Sequence, residues 1–158
     1  MTAIDHWKIL IRQANKAFSR KQLPLAAILY QQAVLLLLNN WPSVTIAEPD
    51  NAAENMSEDP ATLLVICLSI SIQNLAETYA RQQRWRRCLS TLNRALLQLQ
   101  QVQQQLPATH PASVALLREG CNLRRELCRF SKLRQDCSHK KAGQKASVII
   151  PLASASIH

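Results

Sequence analysis

Residues 70–100, ISIQNLAETYARQQRWRRCLSTLNRALLQLQ, decide the fold. Ile72, Leu75, Ala76 and Tyr79 share one face of a first helix, and Trp85, Cys88, Leu92 and Ala95 share one face of a second. The same order of small and large residues stands 62 positions earlier as Leu10, Ala14, Phe18, then Ala26, Tyr30, Ala33, with Ala26 answering Cys88. A repeated order of this kind reads as two helical hairpins, and internal repeats set architecture before any single motif does.

The composition agrees with helices. The chain has only two glycines, Gly120 and Gly143, and is rich in leucine and glutamine, which favour helix over strand. Its 158 residues make one domain by length, large enough to bury a core without staples. Five cysteines, an odd number, mostly at apolar helical positions, point to reduced thiols in a reducing compartment. The first ten residues carry no signal-peptide apolar core, and the strongly apolar run 61–68 is far below the roughly 20 residues that cross a bilayer. The expectation is a cytoplasmic protein with no membrane span.

Element boundaries follow from local chemistry. Thr2 and Asp5 form a capping box for a helix ending near Arg20. Pro24 suits the first position of a second helix, whose face is Ala26, Leu29, Tyr30, Ala33, Val34 and Leu37 and which stops near Asn40. Residues 41–59 hold two prolines and half of the ten acidic residues and read as an acidic loop. Asp59 and Pro60 then open a third helix running to about Gln82; its first half is apolar nearly all round and is expected to be the most buried element. A fourth helix runs from Trp85 to about Gln105 and a fifth from Pro111 to about Cys137. Residues 138–158, basic and then apolar, read as a disordered tail after a helical domain of residues 1–137. Its apolar stretch 148–152 is a candidate to dock in a groove of its own chain or a neighbour's.

The two copies resemble the tetratricopeptide repeat family. The second matches well through Ile72, Leu75, Ala76, Tyr79, Trp85, Cys88, Leu92 and Ala95. The first matches more loosely, with Gln13 where the family prefers leucine and Phe18 one place late. Leu116, Gly120 and Leu123 look like the first helix of a third unit, with Gly120 admitting a helix pressed against it. The resemblance implies an all-α fold of antiparallel hairpins, two plus a C-terminal helix. It also implies a protein-binding module, adaptor or chaperone-like, that holds a peptide or helix in a concave groove lined by first helices. By position that groove would show Lys8, Ile11, Asn15, Gln73, Asn74, Glu77 and Arg118. Asn15, Asn74 and Arg118 stand where some members clamp a terminal carboxylate, while Ile11 and Val114 replace the expected lysines.

Net charge is +9, with basic groups in 8–21, 81–94 and 118–145. This balance suggests an acidic partner, or the acidic loop lying near a basic surface of its own chain. Arg124, Arg125, Arg129, Lys132 and Arg134 form a candidate basic patch and support an alternative, a nucleic-acid-associated regulator. Aromatic residues are 4%, which leaves little for base stacking and favours the solvated outer face of a terminal helix. Cys121 and Cys128 are seven apart, about 10 Å along a helix, too far to bridge or share a metal, and read as buried small residues. No cofactor, metal site or catalytic residue is expected, since no phosphate-cradling loop and no convergent titratable set is present. With only two and a half units, a homodimer is one way to complete the stack.

Overall fold

The computed structural model describes residues 1–41 and 59–157, with side chains as far as residue 143. Most of the acidic loop, residues 42–58, lies outside the described residues. Five helices are present among those described: α1 Ala3–Ser19, α2 Leu23–Asn39, α3 Pro60–Arg81, α4 Trp85–Gln105 and α5 Ala112–Ile157. The fold is all-α, with no strand among the described residues.

Four of the five starts have a local cause; Arg84, before α4, makes no side-chain cap. Thr2 Oγ1 accepts from Asp5 N at 3.2 Å and Asp5 Oδ2 accepts from Thr2 N at 3.0 Å, the reciprocal cap of α1. Asp59 Oδ2 accepts from Thr62 N at 3.2 Å and Pro60 takes the first position of α3. Pro24 sits one place later than expected, because α2 already begins at Leu23. His110 Nδ1 accepts from Ala112 N at 3.0 Å, so the opening of α5 uses a histidine beside Pro111.

The repeat is visible in the backbone of the turns. At the end of α1, Lys21 N donates to Phe18 O (3.0 Å) and Gln22 N to Ala17 O (2.9 Å). At the end of α3, Gln83 N donates to Ala80 O (2.9 Å) and Arg84 N to Tyr79 O (2.8 Å). These are two Schellman endings, offset by the same 62 positions as the side-chain pattern, and Lys21 (φ 60) and Gln83 (φ 58) hold their left-handed residues. A side chain there costs energy that glycine avoids. Gln83→Gly is therefore expected to stabilise the fold by about 0.5–1 kcal/mol, and Lys21→Gly equally, as a rise in the urea midpoint. A fall at either site would mean that the turn is not left-handed.

Packing is sequential, with α3 at the centre. α1 packs on α2, α2 on α3, α3 on both α4 and α5, and α4 on α5, while α1 barely reaches α3. The small residues of the repeat sit where helices meet: Ala14, Ala26, Ala76 and Cys88 are all fully buried. Small side chains let helix axes approach closely. Tyr30 and Leu92, which occupy equivalent places, are buried as well. α3 buries Ala61, Leu64, Val65, Cys67, Leu68, Ser69, Ser71 and Ile72 in its first half, more than one narrow stripe, while Ile70 on the opposite face stays exposed. Trp7 Nε1 donates to Ser71 Oγ at 2.7 Å, and Ser71 Oγ donates to Cys67 O at 2.8 Å, joining the start of α1 to the middle of α3. By length and hydropathy α3 resembles a membrane-crossing helix, yet 61% of its most apolar window is packed inside the protein.

Three expectations change. α5 does not stop at about Cys137 but runs on to Ile157; no proline interrupts it before Pro151, and the Lys-, Ala- and Gln-containing stretch tolerates helix. The side chains of the 148–152 docking candidate lie outside the described residues. Cys121 and Cys128 are exposed, not buried. Each precedes a core residue, Leu123 or Phe130, by two positions, which turns it about 200° away from the core. Gly120 is buried, but a Cβ there would meet nothing within 4 Å, so no neighbouring helix presses on that spot.

Candidate functional site

The residues that the repeat resemblance places in a groove divide among three environments. Asn15 from α1 and Asn74 and Glu77 from α3 come together, with Phe18 and Tyr30, around a hollow of about 230 Å³. Lys8 and Arg118 are exposed and Gln73 half-buried, and none of the three lines that hollow. Ile11 is not a groove residue at all: it is buried in the core, because it shares the inward stripe of Ala14 and Ala17.

The hollow is built from hydrogen bonds and charge. Tyr30 Oη donates to Asn15 Oδ1 at 2.6 Å, and burial pushes the Tyr30 phenol up, which keeps the donor protonated. That bond leaves the Asn15 NH2 group to donate elsewhere. The Asn74 side chain makes no hydrogen bond among the described residues. Glu77 Oε2 accepts from Arg129 at 2.9 Å and Oε1 from Arg81 at 3.1 Å. Arg129 also pairs with Glu126 at 2.7 Å, and Arg81 lies 5.5 Å from the centre of the Phe18 ring. Burial alone would raise the Glu77 carboxyl, but hydrogen bonds from the Arg129 and Arg81 guanidiniums outweigh it and hold Glu77 below its ordinary value. Glu77 is thus an anion at neutral pH. Its charge is matched by Arg81 and Arg129, which engage both of its oxygens.

The depressed Glu77 pKa sets a pH dependence. Its contribution to stability is complete above the ordinary glutamate value of 4.5 and is lost as the pH falls through the lower folded value. Glu77→Gln is expected to flatten this part of the acid limb of a stability–pH curve. An unchanged acid limb in the variant would show that the Glu77 pairs contribute nothing.

A second concavity lies on other helices and was missed from the sequence. Between α2 and α4, with α3 as its floor, runs a groove of about 730 Å³. Val34, Leu35 and Leu38 form one wall, Ile72 and Leu75 the floor, and Arg86, Arg87 and Arg94 the far rim. The available signal was α2 itself, whose apolar residues exceed one stripe: Leu25, Ile28 and Leu35 remain exposed.

The basic patch is dispersed. Arg129 is engaged with Glu77 and Glu126 and lies 4.2 Å from the centre of the Phe130 ring. Arg134 shares a shallow depression with Arg86 and Arg94 of α4, and Arg124 borders a small cavity at Gly120. Arg125 and Lys132 are exposed. Among the described residues no group of three or more His, Cys, Asp or Glu side chains is placed to hold a metal ion. Cys88, whose thiol burial pushes up to about 12, is a core residue with no thiolate at neutral pH.

The class these features define is an all-helical protein with two concave surfaces along its helices. The chain belongs to a family of proteins of unknown function, DUF2753, whose model matches residues 5–150. No curated protein and no solved structure matches it.

Proposed function

We infer that this chain is a protein-binding module of tetratricopeptide-like hairpins, an adaptor or chaperone-like protein of the cytoplasm, that holds a peptide or helix on its α1–α3 face. The observation that carries the reading is the meeting of Asn15, Asn74 and Glu77, contributed by the first helices of two repeated units, around one hollow. The Asn15 NH2 group and the Asn74 side-chain amide suit the carbonyl and N–H groups of a peptide backbone. Both repeated helices end in the same backbone turn, which supports treating the two hairpins as one unit used twice.

A nucleic-acid-associated role has one favouring observation, the shared depression of Arg86, Arg94 and Arg134. Pull-down from a lysate with and without nuclease separates the two. The adaptor reading expects protein partners that survive nuclease and are lost when Asn15→Ala and Asn74→Ala are combined. Partners that vanish with nuclease, or that ignore both substitutions, count against it.

A further inference from the structure

The α2–α3–α4 groove joins an apolar interior to a one-signed rim. Leu35 is 51% exposed on its wall, far more than a core leucine, while Leu75 and Ile72 close the floor. On the opposite lip Arg86, Arg87 and Arg94 project from α4, and none of the three has a carboxylate partner among the described residues. The Arg87 guanidinium lies 6.0 Å from the Tyr79 ring centre, which holds its side chain along the groove. Arg87 and Arg94 are two helical turns apart, about 10 Å along α4.

We propose that this groove is a second docking site, distinct from the Asn15–Asn74 hollow, and that its occupant is an acidic amphipathic helix of a partner protein. Such a helix lays its apolar face on Val34, Leu35 and Leu75 and sets two carboxylates, seven residues apart, against Arg87 and Arg94. Charge selects among the possible occupants. A second copy of a chain with net charge +9 would bring more cations to a rim whose three arginines have no carboxylate partner among the described residues. A nucleic acid would satisfy the arginines but leave the apolar floor without a complement.

The test uses the full chain and a fluorescein-labelled synthetic helix of roughly 14 residues, with leucines on one face and glutamates seven apart on its flank. Anisotropy is read against three comparisons: the same peptide with glutamine for glutamate, the variant Arg87→Glu/Arg94→Glu, and the variant Leu35→Ser. All three altered positions are exposed, so circular dichroism is expected to be unchanged. The proposal expects each comparison to weaken binding about tenfold or more, and the acidic peptide to lose affinity as salt rises. It also expects Asn15→Ala/Asn74→Ala to leave this binding intact, which keeps the outcome separate from the fate of the α1–α3 hollow. Equal binding of the neutral peptide or of either groove variant overturns the proposal. Tighter binding of a DNA duplex that the same arginine variant abolishes overturns it as well, as does a dimer in sedimentation that the arginine variant dissolves.

Discussion

Phe130→Ala is expected to destabilise the protein by about 3–5 kcal/mol, the largest effect of any single substitution considered. Phe130 is 1% exposed and belongs to the continuous core, anchoring α5 against the other helices. α5 packs on both α3 and α4, and the hole left by the ring opens in the core they share. Removal of the ring also takes away the surface beneath Arg129, the residue that links α5 to Glu77 of α3. Against a domain stability of about 5–15 kcal/mol this is a large share of the whole. Urea unfolding followed by far-ultraviolet circular dichroism measures it. A loss under about 1 kcal/mol would show that α5 contributes little to the core.

Leu92→Ala is the second large effect, with an expected loss of about 2–5 kcal/mol. Leu92 is fully buried and stands at the place that Tyr30 fills in the first hairpin. Its nearest neighbours on the same stripe of α4, Cys88 and Ala95, are small and buried, so neither can fill the vacated volume. Leu92→Met, nearly equal in volume, is expected to cost under about 1.5 kcal/mol. Similar losses for the alanine and methionine variants would place Leu92 outside the close-packed interior.

Most of the fold was legible because helix ends and faces are local chemistry. Thr2 with Asp5, and Asp59 with Pro60, announce two starts, and Trp85 to Gln105 matches the fourth helix end to end. The buried stripe of small residues was readable from spacing alone, since a helix repeats every 3.6 residues. The end of the last helix was not, because α5 runs through both Gly143 and Pro151, residues that ordinarily end a helix. Cys121 and Cys128 were misplaced for a different reason: cysteine is usually buried, but helical phase sets them opposite Leu123 and Phe130. The candidate site was legible only in part. Asn15, Asn74 and Glu77 line one hollow, while Lys8, Gln73 and Arg118 do not. The Arg129 partner of Glu77 lies 52 residues away in sequence, and no spacing rule reaches that far. The α2–α4 groove depends on how far apart two helices stand over a third, which is a tertiary property.

The tetratricopeptide-like reading requires two hairpins of one design that close at small side chains in equivalent places. Urea unfolding of Ala26→Leu and Cys88→Leu, each measured alone, tests it most directly. Both positions are fully buried, and added methylenes there must push two helices apart. The account predicts losses of about 1–3 kcal/mol at each site, similar in size, with unchanged denaturant dependence. Leucine accepted without loss at either position would mean that its hairpin does not close there, and the two units would not share a design.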